Sequence, residues 1–178
     1  RLDQVKSACN VLNADAFLVS SLVNVRYLSG FTGSNGCLLI SGNKDFLFTD
    51  SRYIEQGREQ ACDQITVSLS SGFSALEEVS RLYSITNVAV ESDHLTYSEF
   101  IGLEKLLNPR VNLIPSKEVV EKIRAVKDKD EVDLIRKTAD EHGAEVSFFD
   151  QTDATAFEAG LRPNTAIVWI ESPVNPTW

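Results

Sequence analysis

Two stretches near the start of the sequence carry the residues best suited to contact a ligand or another protein. Residues 24–36 read NVRYLSGFTGSNG, and Gly30, Gly33 and Gly36 allow this loop to take positive φ and to approach another surface closely. Residues 46–56 read FLFTDSRYIEQ, which predicts a strand followed by a helix with Arg52 and Tyr53 in its first turn. These patterns predict a contact surface.

Phe31 is expected at the exposed tip of the loop, where an aromatic side chain often marks a contact surface. Arg52 and Tyr53 could contact a ligand or a partner subunit. Alternatively, Tyr53 packs on the sheet and Arg52 joins a surface network, and we favour this second reading. The full candidate set for an interface or substrate loop is Phe31, Thr32, Gly33, Ser34, Asn35, Gly36, Arg52 and Tyr53.

Residue types for metal or nucleophilic chemistry are sparse. The only histidines are His94, expected in a turn, and His142, expected at a helix C-terminus with Gly143 as its left-handed cap. The cysteines lack metal-ligand spacing, which predicts three packed, reduced thiols rather than a disulfide scaffold; they are Cys9, Cys37 and Cys62. We therefore assign no catalytic residue and no metal ligand.

The composition excludes several classes of protein. A formal net charge of −9 argues against sequence-independent nucleic-acid binding, which needs a basic face. No apolar run approaches the roughly 20 residues that cross a bilayer, and no signal-peptide pattern is present. We therefore expect a cytoplasmic protein without membrane or nucleic-acid partners.

The elements that position the candidate residues alternate between strands and helices. This alternation, with a hairpin around residues 42–44, predicts an α/β fold with a mixed sheet flanked by helices. Capping boxes are expected at Thr96 with Glu99 and at Asp128 with Glu131. Pro115 is expected to end the last strand, and a helix is expected to begin at Ser116. The predicted strands are 15–20, 37–41, 45–49, 64–69, 87–91 and 110–114.

The pattern restarts near the C-terminus. Residues 145–149 and 166–172 read as strands on either side of a short helix at 153–161, which predicts a compact β-α-β appendage. We divide the chain into a first domain at 1–115, linker helices at 116–141 and the appendage at 142–178.

The loop and strand motifs, together with EVVEKIRAVKDKDEVDLIRKTA at 118–139, resemble the N-terminal domain of Xaa-Pro aminopeptidases and prolidases, the creatinase-like family. The resemblance implies a ribonuclease-H-like mixed sheet that forms subunit contacts. It also implies that the loop at 31–36 reaches the partner's active site. Catalysis would belong to a following domain that holds two divalent metals, such as Mn or Co, and cleaves peptides. We expect this chain to lack that domain.

The segment HGAEVSFFDQTDATAFEAGLRPNTAIVWIESPVNP at 142–176 resembles a different family, the cystathionine γ-synthase and methionine γ-lyase group of pyridoxal-phosphate enzymes. In that family the residue matching Asn175 lies beside the cofactor. The matching lysine for the Schiff base lies outside the resemblance, so we expect no cofactor in this chain.

Three hypotheses follow. The first is a non-catalytic N-terminal domain of a metallopeptidase, in a truncated or chimeric chain, that forms a homodimer and shapes a partner active site. The second is a fragment of a pyridoxal-phosphate-dependent sulfur amino-acid enzyme. The third is an engineered fusion without activity of its own. The first is preferred, and whether the chain is an enzyme stays open.

Overall fold

The computed structural model describes residues 1–70, 73–107, 109–147, 149 and 153–168. A six-stranded sheet has the order β4-β3-β2-β1-β5-β6. Its strands are β1 (Ala16–Val19), β2 (Cys37–Ser41), β3 (Asp45–Thr49), β4 (Ile65–Leu69), β5 (Asn87–Glu91) and β6 (Asn112–Ser116). The helices are α1 (Leu2–Leu12), α2 (Leu22–Ser29), α3 (Ile54–Gln60), α4 (Ala75–Leu82), α5 (Tyr97–Leu107), α6 (Val119–Ala125), α7 (Lys129–Glu141) and α8 (Ala154–Gly160).

The sheet is mixed, as predicted. β2 runs antiparallel to β1 and β3, whereas β1 with β5, β5 with β6, and β3 with β4 are parallel pairs. All residues of β1, β2 and β3 are buried, because helices cover both faces of the sheet. The predicted fold class, an α/β fold with a mixed sheet flanked by helices, is confirmed.

Two apolar clusters lie on opposite faces of the sheet. One cluster includes Val5 of α1, Leu28 of α2 and Val120 of α6. The other includes Leu76 of α4 and Leu103 of α5. The apolar stripe predicted for the first helix supplies the first cluster through Leu2, Val5 and Cys9.

Pro115 lies inside β6, so the prediction that it ends the strand is wrong. β6 is at the edge of the sheet and pairs only with β5. Proline, which has no N–H to donate, is tolerated on an edge strand because one side of that strand has no neighbour to pair with. Ser116 is the last residue of this strand rather than the first of a helix, and α6 begins at Val119.

Helix α2 was not predicted from the sequence. Its buried residues Asn24, Val25, Leu28 and Ser29 follow helical spacing, but their mix of polar and β-branched types hides the pattern. Both capping boxes are confirmed. The Thr96 N–H donates to the Glu99 carboxylate, and the Glu99 N–H donates to the Thr96 hydroxyl. The Asp128 N–H donates to the Glu131 carboxylate, and the Glu131 N–H donates to the Asp128 carboxylate.

The chain divides into two compact units, residues 1–123 and 124–178. The first unit extends beyond residue 115 because Val119, Val120 and Ile123 of α6 pack on its core. In the second unit, none of the described residues is buried.

The described parts of the two predicted C-terminal strands, 145–147, 149 and 166–168, are not in strands, so the β-α-β expectation is corrected there. Such a unit places two short strands in parallel without a third strand to hold them, and two strands alone are marginal in water. The predicted helix between them is present as α8, which begins with Asp153 accepting hydrogen bonds from Thr155 and Ala156. Residues 148 and 169–172 of these predicted strands lie outside the described residues.

Candidate functional site

The candidate loop begins where α2 ends. Gly30 is the left-handed C-cap of α2, with φ of 84°, and its N–H donates to the Arg26 carbonyl at 2.8 Å. Gly33 and Gly36 do not have positive φ, so that part of the prediction holds only for Gly30. The next N–H, that of Phe31, donates to the Ser29 hydroxyl at 3.1 Å. The start of the loop is therefore fixed by hydrogen bonds.

Phe31 is buried, with 1% of its surface exposed, so its predicted exposure at the loop tip is wrong. Its ring meets the Tyr53 ring edge-on, with centroids 6.2 Å apart, in the same apolar cluster as α1 and α2. Gly33 and Gly36 lie directly against this ring, and a Cβ on Gly36 would come within 3.0 Å of it. The glycines thus allow the loop to fold over Phe31 rather than project it outward.

Thr32 is held by helix α3. Its backbone N–H and its hydroxyl both donate to the Gln60 amide oxygen, at 2.9 and 3.1 Å. The Gln56 amide donates to the Thr32 hydroxyl at 3.0 Å. These bonds attach the exposed side of the loop to the helix that follows β3.

Asp50, at the end of β3, connects the loop to Arg52. Its carboxylate accepts from the Asn35 amide at 2.6 Å and from the Arg52 guanidinium at 2.7 and 3.2 Å. The Arg52 guanidinium, followed by the Asn35 amide, holds the pKa of the Asp50 carboxyl well below its usual range. Asp50 is therefore charged at neutral pH and orients both donors.

Arg52 and Tyr53 lie in a turn before α3 rather than in its first turn, because the helix begins at Ile54 without a side-chain cap. The Arg52 side chain is 67% exposed, whereas Tyr53 is half-buried. The Tyr53 and Ser34 hydroxyl oxygens are hydrogen-bonded at 2.7 Å. The Arg52 guanidinium also lies 5.2 Å from the Tyr53 ring centroid. Tyr53 packs beside the sheet and Arg52 belongs to a surface network, as the favoured reading predicted.

The arrangement presents polar groups on a rigid base. Thr32, Ser34 and Asn35 are exposed along the loop, and Arg52 lies beside them through Asp50. Hydrogen-bond donors and acceptors held in this way can recognise a peptide or protein surface, since little side-chain entropy is lost on binding. The described side chains of this surface include no nucleophile paired with a general base.

A buried polar cluster was missed by sequence reasoning. Glu91, at the end of β5, accepts from the backbone N–H groups of Ser20 and Ser21 at 2.6 and 2.7 Å and from the Asn24 amide at 2.7 Å. The same amide donates to Glu121 of α6 at 2.6 Å. This cluster joins β5, α2 and α6. The one sequence signal for it is that polar residues stand at the ends of two predicted strands, Ser20 and Ser21 at the end of the first and Glu91 at the end of the fifth.

The histidines and cysteines do not form a site. His94 lies in a turn, and His142 caps α7 with Gly143 at φ of 70°, as predicted. Cys9 and Cys37 are buried free thiols; Cys62 is also free but exposed in the turn after α3, so its expected packing is wrong. Within the described residues, no three His, Cys, Asp or Glu side chains gather to hold a metal ion.

The described residues therefore offer no cluster that fits a pair of divalent metals. Asn175, the one position that matches a pyridoxal-phosphate contact, lies outside the described residues. Along the described helices, none is long and apolar enough to cross a bilayer.

Comparison with known proteins separates the two ends of the chain. Residues 129–178 match the family of pyridoxal-phosphate-dependent enzymes of Cys/Met metabolism. The cystathionine gamma-lyase of Rattus norvegicus is 45% identical to this chain over 42 residues. These residues are 24% of this chain and 11% of that protein. Both the sequence resemblance at this end and its short extent are confirmed.

The larger part of the chain is similar to solved structures of peptidases. An Xaa-Pro dipeptidase from Bacillus anthracis superposes with a TM-score of 0.71 at 27% identity, covering 79% of this chain and 41% of that one. The N-terminal domain of the cytoplasmic peptidase PepQ from Mycobacterium tuberculosis H37Rv has a TM-score of 0.65 at 32% identity, covering 69% and 97%.

Sequence relatives agree with the structures. The uncharacterized peptidase YqhT of Bacillus subtilis is 30% identical over 140 residues, which is 78% of this chain and 39% of that protein. The chain thus spans about two-fifths of the length of this relative. Residues 1–126 match the family described as the creatinase/prolidase N-terminal domain, and the chain belongs to that family.

Proposed function

We propose that this chain serves as the non-catalytic N-terminal module of an Xaa-Pro aminopeptidase- or prolidase-type metallopeptidase. Its role is to form a homodimer and to shape the active site of a partner subunit through the loop at 31–36 with Arg52 and Tyr53. The family membership supports the module, because its relatives are peptidases of which the chain spans the N-terminal part.

The observation that carries the proposed role of the loop is the bridge made by Asp50. It holds the Asn35 amide and the Arg52 guanidinium together at an exposed surface. A guanidinium that is already oriented can contact a carboxylate or carbonyl of a partner with a small entropy cost. Exposed ion pairs add little stability, so the contribution of the Asp50–Arg52 pair to this role is the orientation of the guanidinium.

The proposal assigns peptide cleavage, and the two divalent metals that it requires, to a catalytic domain rather than to the residues of this chain. It also assigns the protein to the cytoplasm, which the similarity to the N-terminal domain of a cytoplasmic peptidase supports. Peptides are the substrates of the assembled enzyme.

Sedimentation velocity tests the dimer. The chain is expected to sediment as a dimer, and Arg52→Ala and Asn35→Ala are expected to weaken it because both remove groups of the exposed network. Lys105→Ala, which removes a positive charge from α5 on the other face of the sheet, is the matched control and should leave the dimer unchanged. A monomer at every protein concentration would contradict the dimer role.

A peptidase assay tests the non-catalytic part of the proposal. The chain is incubated with an Xaa-Pro peptide in the presence of Mn²⁺ or Co²⁺, and no cleavage is expected. Cleavage that a chelator abolishes would show that the chain holds its own metal site and would overturn the proposal.

We propose in addition that the chain joins segments of two parent proteins near residues 139–142. The two family matches support two parents, because they cover separate ranges, 1–126 and 129–178, and describe enzymes with unrelated chemistry. The position of the join at 139–142 comes from the sequence motifs, since residues 118–139 resemble the peptidase family. Sequencing the gene and its transcript across this region is the test. If genomic DNA encodes both segments in one continuous reading frame, the junction is natural. If the two segments lie in separate genes, the junction arose by cloning or sequence assembly.

A further inference from the structure

A cleft of about 580 Å³ lies in the first unit, away from the candidate loop. β3 and β5 run in the same direction. β5 is parallel to β1, and β3 is also parallel to β1 because β2 is antiparallel to both β1 and β3. The loop network follows the carboxyl end of β3, whereas the cleft includes Ile85 and Thr86, just before the amino end of β5. The cleft therefore lies at the amino ends of these two strands, and the loop lies at their carboxyl ends.

They also lie on opposite faces. Ile85 and Leu107 form the apolar floor of the cleft and belong to the cluster under α4 and α5. Phe31 belongs to the other cluster. A ligand in this cleft would consequently leave the loop surface free, so the two surfaces can be tested separately. The volume falls within the range of about 300–1,000 Å³ that is usual for small-molecule sites.

The charged groups of the cleft have both signs and, among the described residues, no ion-pair partners. Glu77, Arg81 and Arg110 line it, and none of them makes an ion pair with another residue in the described part of the chain. The C-terminal ends of α4 and α5 also meet there, and helix C-termini carry a partial negative charge. The cleft can therefore satisfy a negative group at the guanidiniums and a positive group at Glu77 and the helix ends.

Ser80 supplies a second, independent observation. It lines the cleft and is 4% exposed, and its hydroxyl is buried without a hydrogen-bond partner among the described residues. Buried hydroxyls almost always have a partner, and leaving one unmade costs free energy. A carbonyl oxygen that enters the cleft above Ser80 would accept this hydroxyl.

We propose that this cleft binds a short apolar peptide with both termini free. The peptide carboxylate pairs with Arg81 and Arg110, and its ammonium group lies between Glu77 and the ends of α4 and α5. Its apolar side chains rest on Ile85 and Leu107, and a peptide carbonyl accepts the Ser80 hydroxyl. A zwitterion is favoured over a simple anion because the helix ends and Glu77 oppose the two arginines.

Binding of three related probes to the full chain tests this. Leucyl-leucine, N-acetyl-leucyl-leucine and leucyl-leucinamide keep the same two side chains, and the two derivatives each lack one terminal charge. Chemical-shift changes of backbone amides locate and quantify the binding of each. Leucyl-leucine is expected to shift the amides of residues 80–86, 106–107 and 110–111. Loss of either terminal charge is expected to raise Kd by about tenfold or more, since each change removes a hydrogen bond to a charged group.

Variants separate binding from folding. Arg110→Gln and Arg81→Gln replace exposed side chains and are expected to weaken binding of leucyl-leucine while the unfolding temperature is kept. Ser80→Ala is expected to weaken binding without loss of stability, because the removed hydroxyl has no partner. Arg58→Gln, on α3 at the other face, is the matched control and should bind normally. Equal affinity for all three probes, or unchanged binding in both arginine variants, would overturn the proposal.

Discussion

At the scale of single residues, Gly33 determines how the loop folds. A Cβ at this position would come within 2.8 and 2.9 Å of the two Cε atoms of Phe31, whose ring is buried in the core. Gly33→Ala is therefore expected to lower the free energy of unfolding by about 1–3 kcal/mol, the usual cost of overpacking. Urea denaturation followed by circular dichroism measures this cost.

The control is a glycine with free space. A Cβ on Gly102, within α5, would meet nothing within 4 Å, so Gly102→Ala is expected to stabilise the protein by about 0.5–1 kcal/mol through helix propensity. Equal effects of the two substitutions would show that the Phe31 ring does not restrict position 33.

The charge on Asp50 makes a pH-dependent contribution. The Arg52 guanidinium and then the Asn35 amide lower its pKa in the folded state, so this contribution is complete above the unfolded value of about 4. It is lost as the pH falls through the lower folded pKa. The difference in free energy of unfolding between the protein and Asp50→Asn is therefore expected to be largest at neutral pH and to shrink in acid. Urea titrations at a series of pH values measure it, and a difference that is constant with pH would contradict the role of this carboxylate.

The three cysteines are expected to differ in reactivity. Burial raises the pKa of the Cys9 thiol to about 11 and that of Cys37 to about 12, so few thiolates form there at neutral pH. Cys62 is exposed. Iodoacetamide is expected to add one group to the native protein and three after unfolding, as counted by mass spectrometry. Modification of Cys9 in the native state would show that α1 opens readily.

At the scale of elements, Glu91 connects β5 with the start of α2. Glu91 is 6% exposed, and its carboxylate accepts hydrogen bonds from two backbone N–H groups and from the Asn24 amide. Glu91→Gln keeps the shape but replaces one acceptor with a donor, which is expected to cost about 1.5–3 kcal/mol of unfolding free energy. Thermal unfolding compares it with Glu104→Gln on the exposed side of α5, where no change is expected. Equal stability of the two variants would mean that water replaces these bonds.

The sequence could predict elements whose signal is local. Cys37–Ser41 and Asp45–Thr49 are apolar runs around a turn, and they form the predicted hairpin. Helix α2 could not be recognised, since half of its buried residues, Asn24 and Ser29, are polar and are satisfied by partners distant in sequence or along the helix. The burial of Phe31 has the same origin, because the glycines that suggest an open loop serve here to cover the ring.

The candidate surface shows the same limit. Residue types and a glycine pattern were enough to select the loop and Arg52, and the structure brings Asn35 and Arg52 onto one carboxylate. That Asp50 makes this connection depends on the register of the β2–β3 hairpin, which brings Asn35 and Asp50 together beyond the strand ends. The sequence predicts the hairpin, but it does not show which polar side chains meet beyond the ends of the two strands.

At the scale of the whole molecule, the two units differ in how their residues are stabilised. The strands β1, β2 and β3 of the first unit are buried between helices on both faces. In the second unit, α7 has no buried residue and depends on its capping box and on i,i+4 ion pairs such as Lys129 with Asp133. Exposed pairs of this kind contribute about 0.3–0.5 kcal/mol each, and an isolated helix of this length is marginal in water.

Hydrogen exchange should therefore separate the units. Backbone amides of β1, β2 and β5 are expected to exchange only through global unfolding, whereas those of α7 exchange through local opening at rates close to those of an unfolded peptide. Asp128→Ala is expected to speed exchange in α7 further, because it removes the capping box, and to leave β1 unchanged. Protection of α7 equal to that of β1, lost together with it as denaturant is added, would show that the two units fold as one.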